Sequence, residues 1–361
     1  MALNKHQEDR LLLKRYAVNI AFFALYVLCT LWAAISLMSS SHMGDSWRGA
    51  TLPAMVEGTA ERPYVYRVLM PITVKTIVAL TPGTIEHTVN DALARQDYSW
   101  LPPDRRMQRA MANTKTLYMR LVAMSLMLGC MASFTVAMYK LGRQLYKDNP
   151  VIARCVPLVA LAMVPPLAGR VAYIYDASTL ALTAACFYAL YTAKWRWYYV
   201  WFVLACLNKE SALFVALMFA IWQFGRMEHK QLLTHLTTQF MTLALVKIVT
   251  GYVFASNVGV FLKTDYQTWQ LDVLWSIYHW QTYLLLLAGA FLLFFRFREK
   301  PVFARKGLWV VGLMWVSYML FGKPGEYRVF FEAVPIIALL ATHTLAVTTN
   351  MCGMRRRIND T

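Results

Sequence analysis

The sequence predicts an all-α membrane protein, a polytopic bundle of about ten transmembrane helices with interfacial helices in a long first outer loop. Three observations predict it. Of the 361 residues, 58% are hydrophobic and 15% charged, and the mean hydropathy is +0.42, whereas a soluble domain carries roughly 25% charge. Apolar runs long enough for helices recur from end to end. Basic residues gather in alternate links between those runs, the signature of cytoplasmic loops. Residues 1–361 read as a single integral membrane domain with no separate soluble part.

The first run, 17–38, is too long for a signal-peptide core and is not followed by an A-x-A site, so it reads as a retained span. Residues 39–116 form one long outer loop. Within it, 66–82 (YRVLMPITVKTIVALTP) is apolar enough to suggest a span. Counting it as one would put Lys140, Arg143, Lys147 and every later basic link outside. Arg67, Pro71 and Lys75 interrupt the segment, as suits an interfacial or re-entrant piece. Arg105, Arg106, Arg109 and Lys115 run against the charge rule, which long loops obey less strictly.

Further spans follow at 117–139, 151–168, 173–193, 232–254, 282–297, 308–321 and 329–349, with a turn at Pro165-Pro166 before the third of these. The stretch 197–225 is either two short helices, 197–207 and 212–225, or one helix kinked at Asn208-Lys209-Glu210-Ser211. Loop 255–281, with Trp269, Trp275 and Trp280, reads as an interfacial aromatic belt. Both termini fall in the cytoplasm.

The net charge of +17 raises nucleic acid as a partner. Its confinement to short links argues instead for membrane topology. Six cysteines lie without metal-ligand spacing and read as small hydrophobes. No metal motif, Ser–His–Asp order or Gly-rich phosphate loop occurs, so neither a cofactor nor a divalent metal is expected.

Ionisable residues interrupt the apolar segments at one membrane face: Asp45, Arg67, Asp176, Lys209, Glu210, Glu326 and Arg328. Charge at bilayer depth is costly and by default marks a functional site. Asp45, in HMGDSW, is a turn residue or a carboxylate able to take a proton from a bound hydroxyl. Arg67, flanked by Tyr64 and Tyr66, either snorkels to the interface or grips a phosphate with its planar fork, and Tyr66 suits a belt or a sugar surface. Asp176 is a helix N-cap or a site residue. Lys209 and Glu210 are adjacent and cannot face each other along a helix, so each needs its own partner. Arg328 would sit in the first turn of the last span, where a cation opposes the dipole and a bound anion relieves it; Glu332 is the alternative, purely structural, partner.

Taken together, the first-loop acid in GDSW, the motifs YRVLMP, NKES and GEYRVFFEAVP, and about ten spans resemble the GT-C class of membrane glycosyltransferases. The resemblance is architectural. It implies transfer of a sugar from a polyprenyl-phosphate donor to a lipid or glycan acceptor, at the outer face of a bacterial inner membrane, in envelope polysaccharide or glycolipid assembly. It implies Asp45 as base, and Arg67, Lys209 and Arg328 as donor-phosphate ligands beside Tyr66, Asp176, Glu210 and Glu326. The chain departs from the class in having one well-placed acid, with Glu57 and Glu61 following later. Three rivals remain on sequence: a transporter or flippase, a non-catalytic subunit of an envelope assembly complex, and an acyltransferase using His235 or His279. The inner halves of the spans are almost uncharged, which argues against a transporter, apart from Lys247, which the glycosyltransferase reading leaves unexplained.

The topology makes a direct prediction. A cysteine introduced at position 104, in a variant lacking the native cysteines, is labelled from outside intact cells by an impermeant maleimide. Labelling only after permeabilisation would reverse the assignment of the first loop.

Overall fold

A computed structural model describes residues 5–39, 48–96, 116–169, 172–259, 280–321 and 326–349. Every regular element among them is helical, apart from one isolated bridge between Arg62 and Gly259. Helix α1 is Lys5–Met38. The described part of the first loop holds three short helices, α2 (Leu52–Glu57), α3 (Leu69–Leu80) and α4 (Gly83–Ala94), with a 3-10 turn at Tyr64–Tyr66. The bundle continues through α5 (Leu117–Leu145), α6 (Pro150–Ala168), α7 (Ile174–Tyr191), α8 (Trp195–Asn208), α9 (Ala212–Gln223), α10 (His229–Val253), α11 (Trp280–Phe294) and α12 (Val302–Phe321). A 3-10 stretch, Tyr327–Ala333, then leads into α13 (Val334–Thr348).

Five helical segments among the described residues are long and apolar enough to cross a membrane: Tyr16–Met38, Leu117–Leu145, Pro150–Ala168, His229–Val253 and Tyr327–Thr348. The protein is therefore a helical membrane protein. Its exposed side chains agree: Leu233, Met241, Leu245 and Ile248 on α10 project outward, and a large apolar surface of this kind belongs against lipid rather than water. Helix α7 is buried on nearly all sides and forms the axis of the bundle.

Local chemistry explains the boundaries. Asn149 caps α6 by accepting from the Ile152 N–H at 3.2 Å, with Pro150 at the first helical position. Pro165 and Pro166 lie inside the last turn of α6, and the helix ends instead at Gly169, whose φ is +54°. The expected turn there is thus displaced by three residues, because packed neighbours keep a membrane helix intact through prolines. Helix α5 runs six residues beyond the expected 139, and its 29 residues span about 43 Å against a hydrocarbon core of about 30 Å. Its extension carries Lys140 and Arg143, both exposed.

The 197–225 stretch is two helices, not one kinked rod. Lys209 is extended between them, at φ −163° and ψ 147°. Trp195, at the start of α8, meets Phe219, near the end of α9, with ring centroids 5.9 Å apart, so the pair is an antiparallel hairpin. Helices of 14 and 12 residues reach only about 21 and 18 Å, so neither crosses a membrane alone. Helix α3, with 12 residues, is likewise too short, in keeping with an interfacial or re-entrant segment.

Glycines set two close approaches. A Cβ on Gly142 of α5 would lie 2.9 Å from the Ala153 carbonyl of α6, and one on Gly307 of α12 would lie 2.6 Å from Ile336 of α13. Gly142→Val should therefore lower stability in detergent by about 1–3 kcal/mol, the usual cost of overpacking. Gly289→Ala, at a position with no neighbour within 4 Å, should leave the thermal midpoint unchanged or slightly raised. Equal melting of the two variants would rule out close α5–α6 packing.

Candidate functional site

The site lies where the α8–α9 hairpin turns. Its apex is Lys209–Ser211, and Glu210 reaches Lys247 of α10 at 3.3 Å. Lys247 stands six residues before the end of α10 at Val253, so the apex sits about 9 Å below that helix end. The hairpin thus turns short of the α10 terminus, and polar residues gather at its apex.

The first loop closes over this apex. Arg62 pairs with the segment after α10, its guanidinium donating to the Gly259 carbonyl at 2.7 Å and its N–H to the Val258 carbonyl at 2.8 Å. Asn257 donates to the carbonyls of Gly58 and Ala60, both at 2.9 Å. These straps hold the Tyr64–Tyr66 turn above α7. Tyr64 stacks on Tyr173, and Tyr173 on Tyr175, each pair 5.2 Å apart. Arg67 follows the turn and is buried, its Cζ 4.4 Å from the Tyr175 ring centroid. Arg328 lies 4.4 Å over Tyr173. Two guanidiniums therefore pack on one aromatic ladder, and both donate to the Tyr175 hydroxyl, Arg328 at 3.4 Å and Arg67 by a shorter contact.

Carboxylates balance them. Arg67 pairs with Glu210 at 2.6 Å, and Arg328 with Asp176 at 3.3 Å and with Glu326. Lys209 pairs with Glu332 at 3.0 Å, and Ser211 donates to the same carboxylate oxygen. Four cations (Arg67, Lys209, Lys247, Arg328) thus meet four carboxylates (Asp176, Glu210, Glu326, Glu332). The carboxylates differ in access. Asp176 is fully buried, while Glu326 and Glu210 keep 19% and 43% of their side-chain surface, so solvent meets the cluster through these two. Burial opposes ionisation of Glu326, but Arg328 outweighs it and holds this carboxyl below the usual glutamate range. Because the folded value is the lower one, this pair stabilises the fold above the unfolded glutamate pKa. That contribution is lost as pH falls through the depressed value.

The structure thus brings Arg67, Asp176, Glu210, Glu326 and Arg328 into one network, with Lys209 on its flank through Glu332. Asp176 sits at the third helical position rather than at the N-cap, where it accepts the Tyr173 N–H at 2.8 Å as well as Arg328. Glu332 serves Lys209, not Arg328. Tyr66 is buried, with the Lys247 ammonium 5.7 Å from its ring. Asp45 and His279, and Trp269 and Trp275 of the expected aromatic belt, lie outside the described residues. His235 packs in an aromatic box of Trp195, Tyr199 and Phe219, and its Nδ1 is 2.6 Å from the Tyr199 hydroxyl.

Sequence reading left Lys247 without a role and passed over Tyr173 and Tyr175. The signal for the tyrosines was Y-x-Y-D at a helix start, with Tyr173 at the extended N-cap and Tyr175 at the second helical position. Asn208 was also overlooked as an anchor. Its amide donates to the Tyr175 carbonyl at 3.1 Å and the Thr179 hydroxyl at 2.9 Å, and Ser178 donates to its carbonyl at 2.6 Å, fixing α8 to α7.

Chemically, the unspent capacity lies in the arginines. Arg67 Nε and Arg328 Nε are buried and have no acceptor among the described residues. A buried N–H without a partner costs free energy and is a ready donor for an incoming anion. Glu332 Oε2 is likewise unfilled. Among the described residues no group of three His, Cys, Asp or Glu side chains could hold a metal ion. No family model matches the chain, and the searches of curated proteins and of solved structures each gave no match.

The Lys209–Glu332 pair gives a test of structure apart from chemistry. Lys209→Met leaves Glu332 buried without a cation and should cost about 3–5 kcal/mol, whereas Lys209→Met with Glu332→Leu should recover more than half of that. Additive losses in thermal unfolding would show that the two side chains do not interact.

Proposed function

We propose that the protein is a membrane glycosyltransferase of GT-C type, moving a sugar from a polyprenyl-phosphate donor to a lipid or glycan acceptor in bacterial envelope assembly. In this reading the ten apolar helices lie in the inner membrane with both termini cytoplasmic. Helices α8 and α9 are partial crossings, and the apex faces outward. The observation that carries the proposal is the pair of buried arginines, Arg67 and Arg328, converging on one phenol with their Nε donors unfilled.

A phosphate suits that geometry. Guanidiniums bind phosphoryl oxygens through paired N–H donors, and packing on aromatic rings fixes their planes. The more exposed carboxylates, Glu210 and Glu326, give way to the phosphate, while Asp176 keeps Arg328 in place. Transfer breaks the bond from the sugar anomeric carbon to the phosphate oxygen and forms one from the acceptor oxygen to that carbon. The acceptor proton passes to Asp45. The leaving phosphate changes from a monoanionic diester to a monoester of higher charge, and the arginines stabilise what develops.

The full pairing of charges favours one other reading, a non-catalytic subunit in which the network fastens the first loop to the bundle. The two separate experimentally. A polyprenyl phosphate, but not the neutral polyprenol, should raise the melting temperature of the purified protein, and Arg328→Ala should abolish that shift. Asp45→Asn should keep the shift but lower transfer from a radiolabelled polyprenyl-phosphate hexose by ~10²–10⁴, the usual cost of losing a general base. A shift equal for phosphate and alcohol, or full turnover by Asp45→Asn, would defeat the proposed mechanism.

A further inference from the structure

At the opposite end of the bundle from the arginine cluster lies a second cavity of about 690 Å³, and its walls are basic. Lys140, Arg143 and Lys147 reach it from the end of α5, and Arg154 from the first turns of α6. Tyr188, also in the wall, stands twelve residues along α7 from Asp176, about 18 Å down the helix. No carboxylate lines the cavity; Asp148 follows Lys147 in the turn but is not part of the wall. Nor does any of the four cations form a salt bridge among the described residues. This contrasts with the cluster at the other end, where every cation has a carboxylate. Four uncompensated cations around one concavity form an anion site.

The cavity adjoins apolar grooves on both sides of α5. One, of about 720 Å³, runs between α3, α5, α7 and α8 and shares Lys140 and Tyr188 with the basic cavity. The other, of about 700 Å³, lies between α1 and α5 and shares Tyr139 and Arg154 with it. Ala132 and Val136 line both grooves, so only the ridge of α5 divides them. Each groove therefore begins at a cation and continues along the membrane-facing surface. The Lys194 ammonium, 5.5 Å from the Tyr188 ring, stands at the same end of the first groove.

We propose that this end binds a phospholipid carrying two phosphates and acyl chains on both sides of its headgroup, the chemistry of a diphosphatidylglycerol. The phosphates occupy the basic cavity, and the chains straddle α5 in the two grooves. A one-phosphate lipid leaves part of the cation set unmatched and one groove without a tethered chain. A free phosphate uses neither groove. Basic pockets between transmembrane helices are known to hold such headgroups where the flanking surface is apolar. The site does not depend on the glycosyltransferase reading, since it shares no residue with the arginine cluster.

Native mass spectrometry of the full chain in detergent tests the proposal, with diphosphatidylglycerol, phosphatidylglycerol and phosphatidylcholine supplied in equal amounts. The expected result is selective retention of one diphosphatidylglycerol. Lys140→Glu with Arg143→Glu, both exposed positions, should lower retention by about tenfold or more. Ala132→Trp, which obstructs both grooves without changing charge, should lower it too. Equal retention of phosphatidylcholine or of phosphatidylglycerol would overturn the proposal. So would unaltered binding in the charge-reversed variant, or full displacement by millimolar inorganic phosphate together with unimpaired binding in Ala132→Trp. Each variant should keep the wild-type melting temperature in lipid-free detergent, and one that does not is replaced by Arg154→Gln, read in the same assay.

Discussion

The structure at the hairpin end depends on one constraint: charge held below a membrane surface must be matched. Arg67 and Arg328 both contact Tyr175, which is an unfavourable arrangement for two cations unless carboxylates lie beside them. Glu210 and Lys247 pair on one side, and Asp176 and Glu326 attach to Arg328 on the other. These partners come from the first loop, α7, the hairpin apex, α10 and the 3-10 stretch before α13. Neutrality therefore cannot be reached until all five segments meet. Pairing of this kind adds little net stability over an apolar core of equal volume. Its effect is to penalise any arrangement in which one segment is misplaced.

That constraint also explains the irregular backbone around the site. A continuous helix through 197–225 would carry Lys209 and Glu210 on adjacent helical positions and could not send one to Glu332 and the other to Arg67 and Lys247. The break at Lys209, with its extended backbone, separates the two directions. The 3-10 geometry of Tyr327–Ala333 sets Arg328 and Glu332 about one and a third turns apart, toward different partners. Irregular backbone in a membrane protein is stable only where protein or a polar recess satisfies it, and here local bonds such as those from the Lys209 N–H to the Ala205 carbonyl and from the Ala212 N–H to the Lys209 carbonyl meet part of that need.

The helical class was legible because apolar content and the length of apolar runs are properties of the sequence itself. So was the grouping of Arg67, Asp176, Lys209, Glu210, Glu326 and Arg328 at one face, since each lies at the same end of its apolar segment. The pairing was not legible. Glu332 lies four residues from Arg328 in sequence, yet it turns to Lys209 and Ser211 at the hairpin apex, a fact of tertiary contact with no local trace. Lys247 gave no local clue to its role, because its partner Glu210 is thirty-seven residues away across a hairpin. Tyr173 and Tyr175 carry no local mark of their role, because Arg67 and Arg328, which lie over their rings, come from distant segments.

The two ends of the bundle solve opposite electrostatic problems. At the hairpin end the cations are buried, so each needs a protein carboxylate, and what remains for a ligand is a small set of unfilled donors on Arg67 and Arg328. At the other end Lys140, Arg143 and Lys147, on and just after the last turns of α5, are exposed, and exposure removes the need for an internal partner. A ligand at the first end must compete with carboxylates already in contact. Binding there is an exchange, favourable only for an anion that fills donors the carboxylates leave open. At the second end nothing has to be displaced except water and small ions. The same charge type is therefore buried and paired at one end and exposed and without salt bridges among the described residues at the other, and burial sets the difference.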